Sequence, residues 1–167
     1  MSAFVYKAID KQGRPARGAL EAANEVDLEL RLRRMGLDLI TYREQERTAS
    51  RLARANISRI DLITFCIDVE QIARSGIPLI DGLRDLRDGM DNPRFREILT
   101  TAIEDMEGGK VLSQCLAAHP AVFSPVFVSL VRAGELAGTL PEVFASLSTS
   151  LRWQDELTSM TKRLMIY

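Results

Sequence analysis

The sequence predicts a mainly α protein: a six-helix bundle over residues 57–167, preceded by a small ββαβ unit over residues 1–45. Three observations predict it. Apolar residues recur at helical spacing in Leu62, Phe65, Cys66, Val69, Ile72 and Ala73, and again in Phe95, Ile98, Leu99, Ala102, Ile103 and Met106. Helix start and stop residues punctuate these runs at Ser58, Gly76, Asn92-Pro93, Gly108-Gly109 and Ser124-Pro125. The first segment instead carries β-formers, from Phe4 to Asp10 and from Leu37 to Tyr42.

In the N-terminal unit, Phe4 to Asp10 reads as a strand and Lys11-Gln12-Gly13-Arg14 as a turn, with glycine available for positive φ. Ala16 to Ala22 is the returning strand of a hairpin. Asn24 is placed to cap a helix whose first turn carries Asp27. Val26, Leu28, Leu30, Leu32 and Met35 form an imperfect stripe along it, and Gly36 ends it. Leu37 to Tyr42 alternates as a third strand. So short a unit buries little core of its own.

Residues 46–56 read as a basic linker. Eight arginines lie between Arg31 and Arg59 against three acids, Asp38, Glu44 and Glu46. Residues 60–150 carry thirteen acids and seven bases. The asymmetry fits a solvated linker, and equally one that faces lipid headgroups, an acidic protein face or nucleic acid.

The bundle opens with Ser58 as cap and Asp61 at the capping-box position. Pro78 is expected in the first turn of the second helix, lined by Leu79, Leu83, Leu86 and Met90. A short fourth helix, Leu112 to Ala118, stops at His119-Pro120. The fifth is expected to turn Val126, Phe127, Leu130 and Val131 inward. Gly134 and Gly138 bracket the next turn. The sixth starts near Pro141 and runs through Val143, Phe144, Leu147, Leu151, Leu157, Met160 and Leu164. Its pattern continues without a cap to Tyr167. There, Lys162-Arg163 followed by Leu164-Met165-Ile166 has the character of an approach to a membrane segment.

Composition excludes some classes. With 46% hydrophobic and 27% charged residues and a net charge of −1, the chain is globular, and bulk charge points to no partner. Cys66 and Cys115 sit inside apolar helical patterns without metal-ligand spacing, which suits a reducing compartment. The lone histidine, His119, has no local nucleophile or base partner and reads as a helix-end residue. Gly108-Gly109-Lys110 fails as a phosphate loop. Glu104 stands where the first glycine is required, and Val111 replaces the metal-binding hydroxyl. The acids Asp85, Asp88, Glu104, Asp105 and Glu107 read as solvated charge on helix faces, without calcium-loop spacing. Gly134-Glu135-Leu136-Ala137-Gly138 suggests a tight helix approach or a sharp turn, with Glu135 ordering that turn or capping the following helix. Nothing in the sequence supplies catalysis or a cofactor site.

Several strings carry a resemblance. They are Phe65 with Gln71, Ser75-Gly76-Ile77-Pro78-Leu79, Asn92, Gly108 with Leu112, and Pro120-Ala121-Val122-Phe123. Ala133-Gly134-Glu135-Leu136-Ala137-Gly138-Thr139-Leu140 is the most characteristic. Together they resemble the F-type platform proteins of type II secretion and their relatives in type IV pilus assembly. Phe4-Val5-Tyr6-Lys7-Ala8 with Gly13 and Gly18 is similar to that family's opening segment.

The resemblance implies the first of two cytoplasmic helical repeats of a bacterial inner-membrane platform, anchored by transmembrane helices that these residues do not include. It implies a scaffold without enzymatic activity. Its implied partners are the assembly or secretion ATPase, other inner-membrane components, pilin or pseudopilin subunits, and a second copy of itself. Charge pattern nominates Asp85, Asp88, Glu104, Glu107 and Glu135 as contacts. Some secretion-branch relatives hold calcium with an acid before the Asn/Lys-Pro joint and two acids on the last helix. Asp91 matches the first, whereas Ala145 and Thr149 replace the others, so weak or absent calcium binding is expected. The basic stretch from Arg31 to Arg59 supports one rival, a nucleic-acid-binding helical module, against which the bundle itself is acidic. A second rival is a soluble adaptor that never meets a membrane, and the platform reading itself expects no nucleic-acid partner.

Overall fold

The computed structural model describes residues 2–45 and 56–166. The expected basic linker, apart from Asn56, lies outside the described residues. The chain divides into two compact units. Unit 1 comprises Met1–Asn56 and Arg84–Thr101, and unit 2 comprises Ile57–Leu83 and Ala102–Tyr167.

Unit 1 begins with β1 (Ser2–Asp10), β2 (Pro15–Ala22), α1 (Glu25–Arg34) and β3 (Leu37–Gln45). This is the ββαβ order expected from the sequence. The sheet is antiparallel with order β2-β1-β3, so Tyr6 stands opposite Gly18 on one side and Tyr42 on the other. A bulge between Lys7 and Ala8 shifts the pairing with β3. Alternation sends Phe4, Tyr6 and Ala8 to one face. There they pack with Leu20, Ala22, Leu28, Leu32, Met35 and Leu37. The Asn24 side chain accepts from the Asp27 amide at 2.9 Å, and Gly36 leaves the helix at φ 71°. Of the expected α1 stripe, Leu28, Leu32 and Met35 are buried, but Val26 and Leu30 are exposed. Positions 28, 32 and 35 lie on one helical face; 26 and 30 do not.

Six further helices follow among the described residues. They are α2 (Arg59–Ser75), α3 (Leu79–Asp88), α4 (Pro93–Glu107) and α5 (Leu112–Ala117), followed by α6 (Pro125–Ala137) and α7 (Leu140–Ile166). The division between units falls within α3 and α4. Residues 84–101, part of the bundle pattern in the sequence, therefore cluster with the α/β elements of unit 1. Three arginines make that attachment by donating to main-chain carbonyls at helix ends, where unpaired acceptors gather. Arg96 donates to Met35 O at 2.9 Å and 2.8 Å, Arg87 to Arg34 O at 3.3 Å, and Arg14 to Asp88 O at 3.4 Å.

In unit 2, Ser58 and Asp61 form the full capping box of α2, and Gly76 ends it at φ 78°. Pro78 stands one residue before α3, its carbonyl accepting from the Gly82 amide. Gly82 sits under Ile72, where a Cβ would collide, so α2 and α3 meet through the missing side chain. The core is a closed ring of four phenylalanines. Phe65–Phe123, Phe123–Phe127, Phe127–Phe144 and Phe65–Phe144 have centroids 5.8, 5.3, 6.2 and 6.2 Å apart. Tilted and edge-on arrangements suit the ring quadrupoles.

Two expected stripes are corrected here. On α6 the buried face is Phe127, Val128, Val131 and Gly134, while Val126 and Leu130 are exposed. On α7, Phe144 and Leu147 are buried, but Leu157, Met160 and Leu164 are 55%, 61% and 77% exposed. Among the described residues no helix is long and apolar enough to cross a membrane.

Candidate functional site

The five acids nominated as contacts occupy different settings. Asp85 is exposed on the part of α3 that belongs to unit 1. Asp88 is half-buried; its Oδ1 accepts from Arg87 Nε at 3.1 Å and lies 3.1 Å from where a Cβ on Gly36 would stand. Glu104 and Glu107 are exposed in the last turn of α4, in unit 2, a turn without a basic residue. Their charges add to the negative end of the helix dipole, so this end projects a negative potential. Glu135 is half-buried. It does not cap the following helix: its carboxylate reaches back to α5, accepting from the Ser113 amide at 2.6 Å and the Ser113 hydroxyl at 3.1 Å. A free amide in a first helical turn is a stronger demand than solvent makes on an exposed acid.

The expected turn between Gly134 and Gly138 is corrected: Gly134 lies buried inside α6, and only Gly138 stands at the turn. Gly134 lets α6 approach α7, because a Cβ there would stand 2.8 Å from Val143 Cγ2. Gly138 ends α6 at φ 69°.

Of the three positions matching the relatives' calcium site, Asp91 is exposed in unit 1, whereas Ala145 and Thr149 lie on α7 in unit 2. The Thr149 hydroxyl donates to Ala145 O at 3.0 Å. Among the described residues no group of three His, Cys, Asp or Glu side chains is placed to hold a metal. Both cysteines are free and buried, and burial pushes the Cys66 thiol up to about 12, far from a reactive thiolate at neutral pH. Within the basic stretch, Arg31 pairs with Asp27 at 3.2 Å and Arg33 with Glu29 at 2.7 Å. Arg47, Arg51 and Arg54 lie outside the described residues.

Nothing in the sequence pointed to a polar cleft in unit 1. Unit 1 contains a cleft of about 470 Å³ lined by residues of the hairpin, including Tyr6, Asp10, Arg14 and Arg17, and by Asp88, Met90, Asp91, Pro93 and Arg96. Gly18 packs closely beside two of these residues: a Cβ there would stand 2.8 Å from both the Tyr6 hydroxyl and Pro93 Cβ. Asp10 is held by the Arg14 and Gln12 amides at 2.8 and 2.9 Å and by Arg14 Nε at 2.8 Å. The Arg14 amide, with the other donors, keeps its carboxyl below the usual carboxylate range. Burial pushes the Tyr6 hydroxyl up to about 12 and lowers the Arg96 guanidinium.

Residues 71–167 match the family described as Type II secretion system (T2SS), protein F, and residues 1–42 match its N-terminal domain. The chain belongs to this family. Type II secretion system protein F of Vibrio cholerae is 31% identical over 173 residues, covering 100% of this chain and 43% of the relative. Type IV pilus assembly protein PilC of Myxococcus xanthus is 27% identical over 98% of this chain and 40% of its own length. PilC of Thermus thermophilus is 31% identical over 100% of this chain and 42% of its own length. This protein F family chain thus spans about two fifths of the length of the curated relatives it matches.

Proposed function

We propose that this protein F family chain is the N-terminal cytoplasmic part of an inner-membrane platform in a type II secretion or type IV pilus machine. It serves as a scaffold, without catalysis of its own. The observation that carries this is the pair of family matches, N-terminal domain then bundle, in order along the chain. The structure supports it by the kind of surface it offers. Several carboxylates are spent on architecture: Glu135 on an amide, Asp88 on Arg87, Asp10 on a turn. The acids that project outward, Asp85, Glu104 and Glu107, suit a basic face on an assembly ATPase, where charge pairing speeds encounter more than it tightens the complex. Pilin or pseudopilin subunits and other inner-membrane components are the remaining partners of such a platform.

The test is affinity capture of the full-length protein from membranes of its own organism, followed by mass spectrometry. Recovery of the assembly ATPase and other components of the machine is the expected result. Capture without any of them, from cells that assemble the machine, overturns the reading.

A further inference from the structure

The floor of the unit 1 cleft presents polar groups that the fold does not use. Arg96 and Tyr6 are only 4% and 2% exposed, yet both line the cavity. Arg96 spends Nε and Nη2 on Met35 O. A guanidinium carries five N–H donors, and Arg96 Nη1 has no hydrogen-bond partner among the described residues. The Tyr6 hydroxyl has none either; it borders Gly18 and Pro93. Glu70 Oε2 is the one fully enclosed side-chain polar atom without a hydrogen-bond partner among the described residues, so the Arg96 and Tyr6 groups are not sealed off in this way. These groups are therefore open to whatever enters the cleft, and a ligand acceptor there takes the place of water.

The surrounding charges define that ligand. Asp10 is saturated by its turn and by Arg14, and Asp88 is engaged by Arg87. Neither supplies the floor with a hydrogen-bond acceptor. Arg14 and Arg17 line the walls, and Asp91 is exposed among the lining residues. The Arg96 guanidinium at the floor attracts a negative charge, although Asp88 and Asp10 already face it and offset part of that attraction. A phosphate dianion meets Asp88 and Asp91 on the way in, which disfavours it. Met90, Pro93, Pro15 and Ala16 add apolar wall for an alkyl stem.

We propose that this cleft receives an acidic side chain of a partner polypeptide, its carboxylate on Arg96 and Tyr6 and its stem against Met90 and Pro93. The proposal deepens the scaffold reading by naming a contact. Its test needs no partner protein, so its failure leaves that reading to the capture experiment.

The test is an NMR titration of the 15N-labelled 167-residue chain with acetyl-Ala-Glu-Ala-amide, its glutamine counterpart, and inorganic phosphate. Expected are saturable shifts of the Tyr6, Arg17, Gly89 and Arg96 amides with the glutamate peptide in the millimolar range. The glutamine peptide should bind roughly fivefold more weakly, because it lacks the charge that strengthens the hydrogen bonds. Because Arg96 also anchors Met35, the variants that carry the test are Tyr6→Phe and Arg17→Gln, which leave that anchor in place. Each should weaken the glutamate peptide at least about twofold with the rest of the spectrum unchanged. Equal response to both peptides, a cleft response to phosphate alone, or undiminished binding in both variants overturns the proposal.

Discussion

Where unit 2 buries four phenylalanines against one another, unit 1 buries an arginine. Phe65, Phe123, Phe127 and Phe144 close a ring of aromatic contacts that asks only for volume and shape. Arg96 asks for one carbonyl in one place, Met35 O at the end of α1. The aromatic ring supplies area removed from water, about 1.5–3 kcal/mol for each fully buried large apolar side chain. The arginine supplies direction: it fixes which part of the 84–101 segment meets which end of α1. The bulk core gives stability, and the polar seam holds one arrangement.

The comparison can be broken or sharpened by substitution. The largest expected effect is Phe144→Ala, which removes a fully buried ring from the centre of the aromatic set and should cost about 3–5 kcal/mol. Urea denaturation followed by circular dichroism reads it, and a loss below the cost of a surface substitution would show that the ring is not the core. Next is Arg96→Met, which keeps the bulk and strands the Met35 carbonyl. It should cost about 1–3 kcal/mol, with faster hydrogen exchange in α1 and β3. Unchanged exchange there would reduce Arg96 to a filler. Gly134→Ala should follow closely, at about 1–3 kcal/mol for overpacking against Val143. The double variant with Val143→Ala should recover part of that loss, giving a coupling that a merely conformational effect of the glycine would not show.

The smallest effect is a pH dependence. Burial raises the Glu97 carboxyl in unit 1, with Arg31 and Arg34 opposing. A carboxyl raised in the folded state favours folding at low pH, and this contribution fades as pH rises from the unfolded value through the folded one. Asp10 and Asp27 are lowered and slope the other way across the same range. The difference between wild type and Glu97→Gln isolates the Glu97 share: the stability advantage of the variant should grow from pH 4 towards pH 7. A constant difference would contradict the burial of that charge.

Local signals were legible before any coordinates. Asn24, Ser58 with Asp61, Asn92 and Ser124 cap the helices they were expected to cap, and Gly36, Gly76 and Gly138 end theirs. These features depend on residues within four positions of each other. Faces were harder. Val126 and Val128 are equally apolar, and only the neighbours of α6 decide that 128 points inward. Leu157, Met160 and Leu164 keep helical spacing, but spacing does not say whether anything packs on them. The cleft was invisible because its pieces lie far apart. Arg96 and Met35 are 61 positions apart, and Tyr6 reads as any strand tyrosine. Glu135 was found as a residue that orders structure, yet its target, Ser113, lies 22 positions upstream, where no local rule points.

The proposed function rests on charged faces offered to an assembly ATPase. The most direct measurement is a binding titration of the purified ATPase against the full-length protein in detergent, at low and high salt. It should compare wild type with the triple variant Asp85→Lys, Glu104→Lys, Glu107→Lys. The predicted result is saturable, salt-weakened binding by wild type and a loss of roughly tenfold in the variant with its helicity intact. Absence of binding by wild type, or full affinity in the variant, would contradict it.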